Sequence, residues 1–231
     1  VSELGPRLGA IAERVLPGLA VADLCCDHAR LAVAVVACGR APRAIAGDIN
    51  SGPLAAARRF VDASGLAARI ELREGDGLAV LNPGEVGTVV IAGIGAPLAE
   101  RLLRAGAGAL VGVRRLIVQA NHGFPKLGSL RACLRELGWG IVDECLARDQ
   151  GRLYVIVVAE PGEGPPLDER DRELGPILRS SADPLLGAWI EHERERVTRA
   201  VEGMLRGRAD AEQLARHRRF LALLDRGPAH R

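Results

Sequence analysis

The runs Gly140-Ile141-Val142-Asp143-Glu144 and Leu153-Tyr154-Val155-Ile156-Val157-Val158-Ala159 both have the β-branched, apolar character of strands, with little more than residues 147–152 between them. A link that short, with Gln150-Gly151 at its centre, leaves no room for a crossover helix. It implies a hairpin, so the final strand is expected to run antiparallel. Upstream, similar runs recur at residues 19–24, 43–48, 69–73, 88–92 and 115–119, which brings the expected number of strands to seven. Between most of them lie amphipathic stretches, residues 54–63 and 127–137 among them, with apolar side chains at three- and four-residue spacing. Strand and helix alternating through right-handed crossovers give a doubly wound α/β sheet with helices on both faces and a reversed last strand.

A chain of 231 residues, 48% hydrophobic and 26% charged, can bury a core, and this balance excludes a disordered, collagenous or disulfide-stapled protein. No apolar run reaches the roughly 18 residues of a membrane span, and the first residues lack a basic stretch followed by an apolar block and cleavage site. A soluble, cytoplasmic protein is expected. Cys25, Cys26, Cys38, Cys133 and Cys145 show neither CxxC pairing nor the histidine spacing of a zinc site, so reduced thiols and no metal are expected. Cys25 and Cys26, adjacent and directly after a strand, suit small pocket-lining side chains better than a redox pair.

The run Pro161-Gly162-Glu163-Gly164-Pro165-Pro166 breaks the alternation. The expected division is a sheet domain over residues 1–162 and a helical, coiled-coil-like domain over residues 163–231. In the latter, Trp189, Ile190, Val197, Val201, Met204 and Leu205 recur at helical spacing. Leu214, Phe220, Leu221 and Leu224 form a second series, which suits two antiparallel helices. His192, His217 and His230 sit among Arg and Glu and are expected to be solvated. The net charge is only +2, so a nucleic-acid partner needs a local patch, and residues 197–231 hold eight Arg against four acidic side chains. Arg199, Arg206, Arg208, Arg216, Arg218 and Arg219 are the candidates for an RNA-facing surface. The alternative is a packing stripe backed by a solvated charged face.

Ligands of open α/β sheets settle beyond the carboxyl ends of the strands at the switch point, which singles out Asp23-Leu24-Cys25-Cys26-Asp27-His28-Ala29 after the first strand. The loop has no glycine for a GxGxxG approach to pyrophosphate, and it lacks the Walker pattern and its Lys, which disfavours NAD and nucleoside triphosphates. What remains is small and acidic and suits a cofactor with positive charge, such as S-adenosylmethionine. Asp48 ends the second strand, where a carboxylate can accept hydrogen bonds from both ribose hydroxyls. Asp76, in Glu74-Gly75-Asp76-Gly77, is placed to receive the exocyclic amine of an adenine or to cap a turn. In Ala92-Gly93-Ile94-Gly95-Ala96-Pro97 the glycines allow close backbone approach and Pro97 can open a helix.

These residues resemble the bacterial tRNA (adenine-22-N1)-methyltransferases, a class I S-adenosylmethionine-dependent family. The resemblance rests on Asp27-His28-Ala29, Ala46-Gly47-Asp48-Ile49-Asn50, Gly75-Asp76-Gly77-Leu78 and Ile91-Ala92-Gly93-Ile94-Gly95. Gln119-Ala120-Asn121 is similar to the family's Gln-Pro-Asn, Asp143-Glu144 with Tyr154 to its last hairpin, and Trp189 with Glu191 to the opening of its C-terminal helical pair. Three positions depart from the pattern. Cys25 stands for a usual Gly, Ala96 for the second Gly expected in a Gly-Met-Gly-Gly motif, and Ala120 for Pro.

The resemblance implies a Rossmann-like seven-stranded sheet, S-adenosylmethionine as cofactor, and tRNA as partner, with N1 of adenine 22 in the D-arm as target. It implies a monomer or weak dimer. The cofactor site it implies comprises Cys25, Cys26, Asp27, His28, Asp48, Ile49, Asn50, Asp76, Gly77, Ala92, Gly93 and Gly95. N1 lies on the Watson–Crick edge, so the base must be extruded before it can react, and positioning outweighs acid–base chemistry. Asp27 is assigned to stabilise the developing cation, and Asn121 with the Gly93 to Gly95 backbone to orient the base edge. His28 either takes the proton later lost from the exocyclic amine or packs at the helix start over the cofactor. Two other readings stay open: a methyltransferase of this fold acting on another RNA or a small molecule, and a non-catalytic RNA-binding relative altered at Cys25 and Ala96.

Overall fold

The computed structural model describes residues 4–121, 124–207 and 210–225. Its centre is a sheet of β1 (Val21–Leu24), β2 (Ala44–Asp48), β3 (Ile70–Glu74), β4 (Thr88–Ile94), β5 (Arg115–Ala120), β6 (Trp139–Asp149) and β7 (Arg152–Pro161). These seven strands lie in the order β3-β2-β1-β4-β5-β7-β6. The first five are parallel, and β7 is antiparallel to both of its neighbours, as the short link requires. The hairpin is tighter than the sequence suggests, because β6 and β7 extend until only Gln150 and Gly151 remain between them. Their φ values of 48° and 76° are the paired left-handed conformations that match the twist of the flanking strands.

Alternation along the strands sorts the core into two clusters. Val21, Ala44, Ala46, Val90, Ile117, Ile156 and Val158 pack against α1 (Pro6–Arg14), α2 (Arg30–Ala37) and α3 (Ser51–Ala63). Ala22, Leu24, Val89, Ile91, Leu116, Val118 and Val157 face the other way, toward α4 (Ala96–Ala105) and α5 (Lys126–Glu136). The sequence reading did not name α1. Pro6 in its first turn and the spacing of Leu8, Ile11, Ala12 and Val15 are the signals it carries.

After β7 the chain forms a short α6 (Glu169–Leu174), opened by an Asp168 capping box, and then α7 (Leu186–Arg206) and α8 (Ala211–Asp225). The last two are antiparallel, with Arg194, in the first half of α7, reaching Asp225 at the end of α8 at 3.3 Å. Trp189, Val197 and Val201 of α7 and Phe220 and Leu224 of α8 join the cluster on the α4–α5 face of the sheet. Most of the expected apolar series packs inward, with Ile190, Met204, Leu214 and Leu221 half-buried, but Leu205 is exposed and does not belong to the stripe. The expectation of a solvated His217 is wrong: its ring is buried, with Nδ1 2.8 Å from the Gln213 carbonyl. Arg208 and His230 lie outside the described residues.

The junction between sheet and tail is anchored by Arg131 of α5 and Glu144 of β6, both with fully buried side chains. Arg131 Nε donates to Glu144 Oε1 at 2.7 Å, and Nη1 donates to the carbonyls of Arg172 and Glu173. Glu144 Oε2 accepts the N–H groups of Ile177 and Leu178. Removing one partner leaves the other charge buried without compensation, at a cost of about 3–5 kcal/mol. Arg131→Met should therefore lower unfolding stability by about that amount in urea titration, whereas breaking an exposed, solvent-screened pair such as Arg104–Glu136 should change it far less.

Candidate active site

The chain reverses its strand order between β1 and β4, and a cleft of about 580 Å3 opens at the carboxyl end of these two strands. That is where ligands of open α/β sheets bind, and the volume suits a small organic molecule. Of the predicted residues, Cys25, Cys26, Asp27, His28, Ala92 and Gly93 line it. Asp48, Ile49, Asn50, Asp76, Gly77 and Gly95 do not; they lie at or just beyond the carboxyl ends of the neighbouring strands β2, β3 and β4.

The loop after β1 is shaped by two left-handed residues that are not glycine. Cys25 has φ 60° and Ala29 has φ 51°. Between them Cys26 N–H bonds the Gly47 carbonyl at 3.1 Å, which ties the loop to β2. Asp27 and His28 are exposed and bond each other, Oδ2 to Nδ1, at 3.0 Å. The Cys25 thiol is pushed up to about 11 by burial and by the charges of Asp48, Asp23 and Asp76. These carboxylates therefore act on one locus, although Asp48 and Asp76 do not line the cleft itself.

Asp48 Oδ1 accepts the backbone N–H of Asn50 at 2.8 Å and its side-chain amide at 3.2 Å, and Ile49 between them is exposed. Asp76 is held by Arg101 through two hydrogen bonds of 2.7 and 3.1 Å, and the guanidinium keeps its carboxyl below the usual range. Gly77, buried with φ 56°, stands where a Cβ would strike Leu102. On the opposite wall β4 bulges between Ala92 and Ile94, with Gly93 at φ 80°. Gln119 Oε1 accepts the Gly93 N–H at 3.2 Å, and Asn121 Nδ2 donates to the Gly93 carbonyl at 2.5 Å. Asn121 thus holds the wall of the cleft while itself lining a smaller cavity of about 120 Å3 with Glu193 and Arg196.

Two residues outside the predicted set prove central. Arg7 of α1 lines the cleft, donates to Gln119 Oε1 at 2.6 Å and lies 5.5 Å from the centre of the Tyr154 ring. Asp23, at the cleft floor, accepts from Ala32 N–H at 3.4 Å; burial pushes its carboxyl up to about 7 against the opposing effects of Ala32 and Arg7. An acidic residue closing a buried strand was the available signal for Asp23. Only long-range packing brings in Arg7.

Of the predicted RNA-facing arginines, Arg199, Arg206, Arg218 and Arg219 are exposed. Arg199 and Arg206 donate to carbonyls of their own helix, and Arg219 lies 3.8 Å from Glu169. Arg216 is exposed as well and donates to the Pro125 carbonyl at 2.8 Å.

A seven-stranded sheet in this order with β7 reversed, and a cleft at the β1–β4 switch, defines the Rossmann-like methyltransferase class. A sequence model of the family described as TrmK, tRNA (adenine(22)-N(1))-methyltransferase, matches residues 21–223. The tRNA (adenine(22)-N(1))-methyltransferase of Bacillus subtilis strain 168 is 36% identical over 196 residues, which cover 84% of this chain and 78% of that protein. The crystal structure of the B. subtilis m1A22 tRNA methyltransferase superposes with a TM-score of 0.85 at 32% identity, covering 97% of this chain and 98% of that one. A Streptococcus pneumoniae candidate tRNA (m1A22) methyltransferase, solved with S-adenosyl-L-methionine, gives a TM-score of 0.84 at 31% identity and covers 95% and 97%. The chain belongs to the tRNA (adenine(22)-N(1))-methyltransferase family.

Cys25 carries a left-handed backbone that costs a side chain about 1–2 kcal/mol, more than the extra chain entropy of glycine. Cys25→Gly should raise unfolding stability by about 0.5–1 kcal/mol in urea titration. Asp23 yields the second prediction. Between its ordinary value of 3.8 and about 7 the folded chain keeps a proton that the unfolded chain has released. Stability of the ligand-free protein therefore falls as pH rises through that window and levels off above it. Asp23→Asn should flatten the decline when unfolding is compared at about pH 5 and about pH 7.5.

Proposed function

We infer that this protein is an S-adenosylmethionine-dependent methyltransferase that modifies N1 of adenine 22 in the D-arm of tRNA. The observation that carries the reading is the coincidence of the family match with a cleft at the β1–β4 switch point that sets Asp23 and Asp27 beside Arg7 and Arg30 and is walled by the Gly93 bulge. The residues present fit the cofactor. At Gly93 an added Cβ would meet only Arg7, at 3.8 Å, so the wall leaves open space for a ligand, and Asp23 and Asp27 line the same cleft. When bound, S-adenosylmethionine supplies an activated methyl group on a cationic sulfur.

The chain's own residues then bind, orient and stabilise. Arg7 faces the cleft as a fork of donors suited to a carboxylate, such as that of the cofactor's amino-acid part. Asp48 holds the ribose hydroxyls, and the Asp76–Arg101 pair with Gly77 frames the adenine end; Cys25, Cys26 and Ala92 supply small contacts. Asn121 fixes the Gly93 carbonyl, so it orients the base edge chiefly by setting the Gly93 to Gly95 backbone. Asp27 faces the extruded base and stabilises the positive charge that N1 alkylation creates, with His28 holding its carboxylate. No proton has to leave N1 in the transfer itself, so alignment and exclusion of water provide most of the acceleration.

Residues 1–162 carry this chemistry, and residues 163–231 contribute to tRNA binding through Arg199, Arg206, Arg218 and Arg219. Acting on tRNA places the protein in the cytoplasm. Among the described residues no helix is long and apolar enough to cross a membrane.

The test is transfer of labelled methyl from S-adenosylmethionine to a tRNA transcript carrying A22 and to one carrying G22. Label should enter only the first, and mapping should place it at position 22. Incorporation elsewhere, or into a small molecule alone, would sink the reading. Arg7→Ala should weaken cofactor binding by about 10-fold or more, from loss of a charge-assisted contact of about 1.5–3 kcal/mol. Arg218→Gln with Arg219→Gln should instead weaken tRNA binding and flatten its salt dependence.

A further inference from the structure

Gln119 is fully buried near the end of β5, directly after the apolar run Leu116, Ile117 and Val118. A polar side chain in that position must find partners, and this one does. Its carbonyl oxygen accepts twice, from Arg7 Nη1 at 2.6 Å and from the Gly93 N–H at 3.2 Å. Its amide nitrogen donates to Asn121 Oδ1 at 3.3 Å. Arg7 and Gly93 both line the cleft, so one buried amide touches two cleft residues directly.

The kind of partner given to Arg7 sets it apart. Arg73, Arg101, Arg115 and Arg131 each take a carboxylate. Arg7 is held instead by a neutral amide and by the Tyr154 ring, and among the described residues it has no carboxylate partner. Asp23 lies near enough for its charge to act on Arg7 but makes no ion pair with it, and burial holds that carboxyl up at about 7. An amide and an aromatic face orient a guanidinium without cancelling its charge. Only Nη1 is engaged; Nε and Nη2 have no acceptor among the described residues. A glutamate of the same size would serve both N–H donors and bind Arg7 by a stronger, charge-assisted bond, so holding the guanidinium in place does not by itself call for an amide. Leaving its charge free does.

We propose that Gln119 is a positioning residue that aims the Arg7 guanidinium, with its charge uncompensated, at the carboxylate of the methyl donor's amino-acid part. The inference rests on the S-adenosylmethionine reading above and names what makes Arg7 effective in it.

Calorimetric titration with S-adenosylmethionine and with its decarboxylated form, which keeps the sulfonium and the amine, tests it. The wild-type chain should prefer S-adenosylmethionine by about 10-fold or more, and Arg7→Ala should remove that preference. Gln119→Met removes the acceptor at similar volume; it should lower affinity for S-adenosylmethionine by about 5- to 10-fold and leave that for the decarboxylated form within about twofold. Arg7→Ala combined with Gln119→Met should bind no more weakly than Arg7→Ala alone, since residues that act through one another are not additive. Gln119→Glu keeps the acceptor oxygen but neutralises Arg7, so it should lose the preference too, and it carries the test if Gln119→Met proves unstable on thermal unfolding. A merely structural Gln119 would weaken both ligands alike, and its loss would multiply with that of Arg7→Ala. Either result, an unchanged preference in the Gln119 variants, or a wild-type chain that binds both forms equally would overturn the proposal and leave the methyltransferase reading standing. A wild-type chain that binds neither ligand would instead remove that reading, and the proposal with it.

Discussion

The fully buried pair of Arg131 and Glu144 is the constraint from which the helical tail takes its place. Taking both charges out of water is costly, and the cost is offset only because nearly every polar atom of the pair is used. Arg131 gathers two carbonyls from the end of α6, and Glu144 gathers two N–H groups from the turn after it. Between these lies Gly175, with φ 95°, where any Cβ would collide with the Glu144 carboxylate. The chain from Arg172 to Leu178 is thus drawn onto α5 and β6 by charge. Trp189, Val197 and Phe220 can then bury themselves against the α4–α5 face of the sheet. Apolar burial is non-directional and tolerates sliding; the ion pair supplies a direction and a register.

The same division of labour recurs at the cleft. Apolar packing of β4 and β5 sets the wall, but the bulge at Gly93 leaves an N–H and a carbonyl out of the ladder. Gln119 and Asn121, two residues apart on and just beyond β5, take up one each. Gln119 is fully buried and also receives Arg7 from α1. One amide side chain therefore links the N-terminal helix, the bulge and the segment after β5. An approach to the cleft from either side acts on a connected set of hydrogen bonds.

The hairpin, the seven strands and the loop after β1 were legible because they depend on local signals: a two-residue link, β-branched runs, and the chemistry of residues at strand ends. Gly93, as a place of close backbone approach at a strand end, was legible for the same reason. What escaped depends on contacts distant in sequence. Arg7 acquires its role only because α1 packs beside β6 and β7. Asp23 stands out once its carboxyl is known to be buried, which alternation along a strand does not reveal when both faces are covered. His217 was misjudged because its neighbours in sequence are charged, while its partners in space, Phe124 and the stripe of α8, are apolar. The ion pair of Asp76 with Arg101 joins the turn after β3 to α4, and no spacing in the sequence marks it.

The arginine count illustrates the limit of composition as a guide to nucleic-acid binding. Lys126 is the only lysine in the chain, so arginine performs every other cationic task. A guanidinium carries five donors on a planar fork and can satisfy a carbonyl and a carboxylate together, whereas an ammonium acts as a point charge. The structure uses that capacity inward. Arg115 joins the Arg14 carbonyl to Glu160, Arg73 joins the Val80 carbonyl to Glu85, and Arg196 joins the Phe124 carbonyl to Glu193. Arg216, counted among the RNA-facing residues by sequence alone, holds the Pro125 carbonyl and lies 5.6 Å from the centre of the Phe124 ring. In a chain of this composition, a local excess of arginine measures the demand for loop carbonyls to be tied down as much as it measures a surface for phosphates. Under the proposed function, the arginines that remain exposed after such ties are counted, Arg218 among them, are the candidates for counterion-releasing contacts to tRNA.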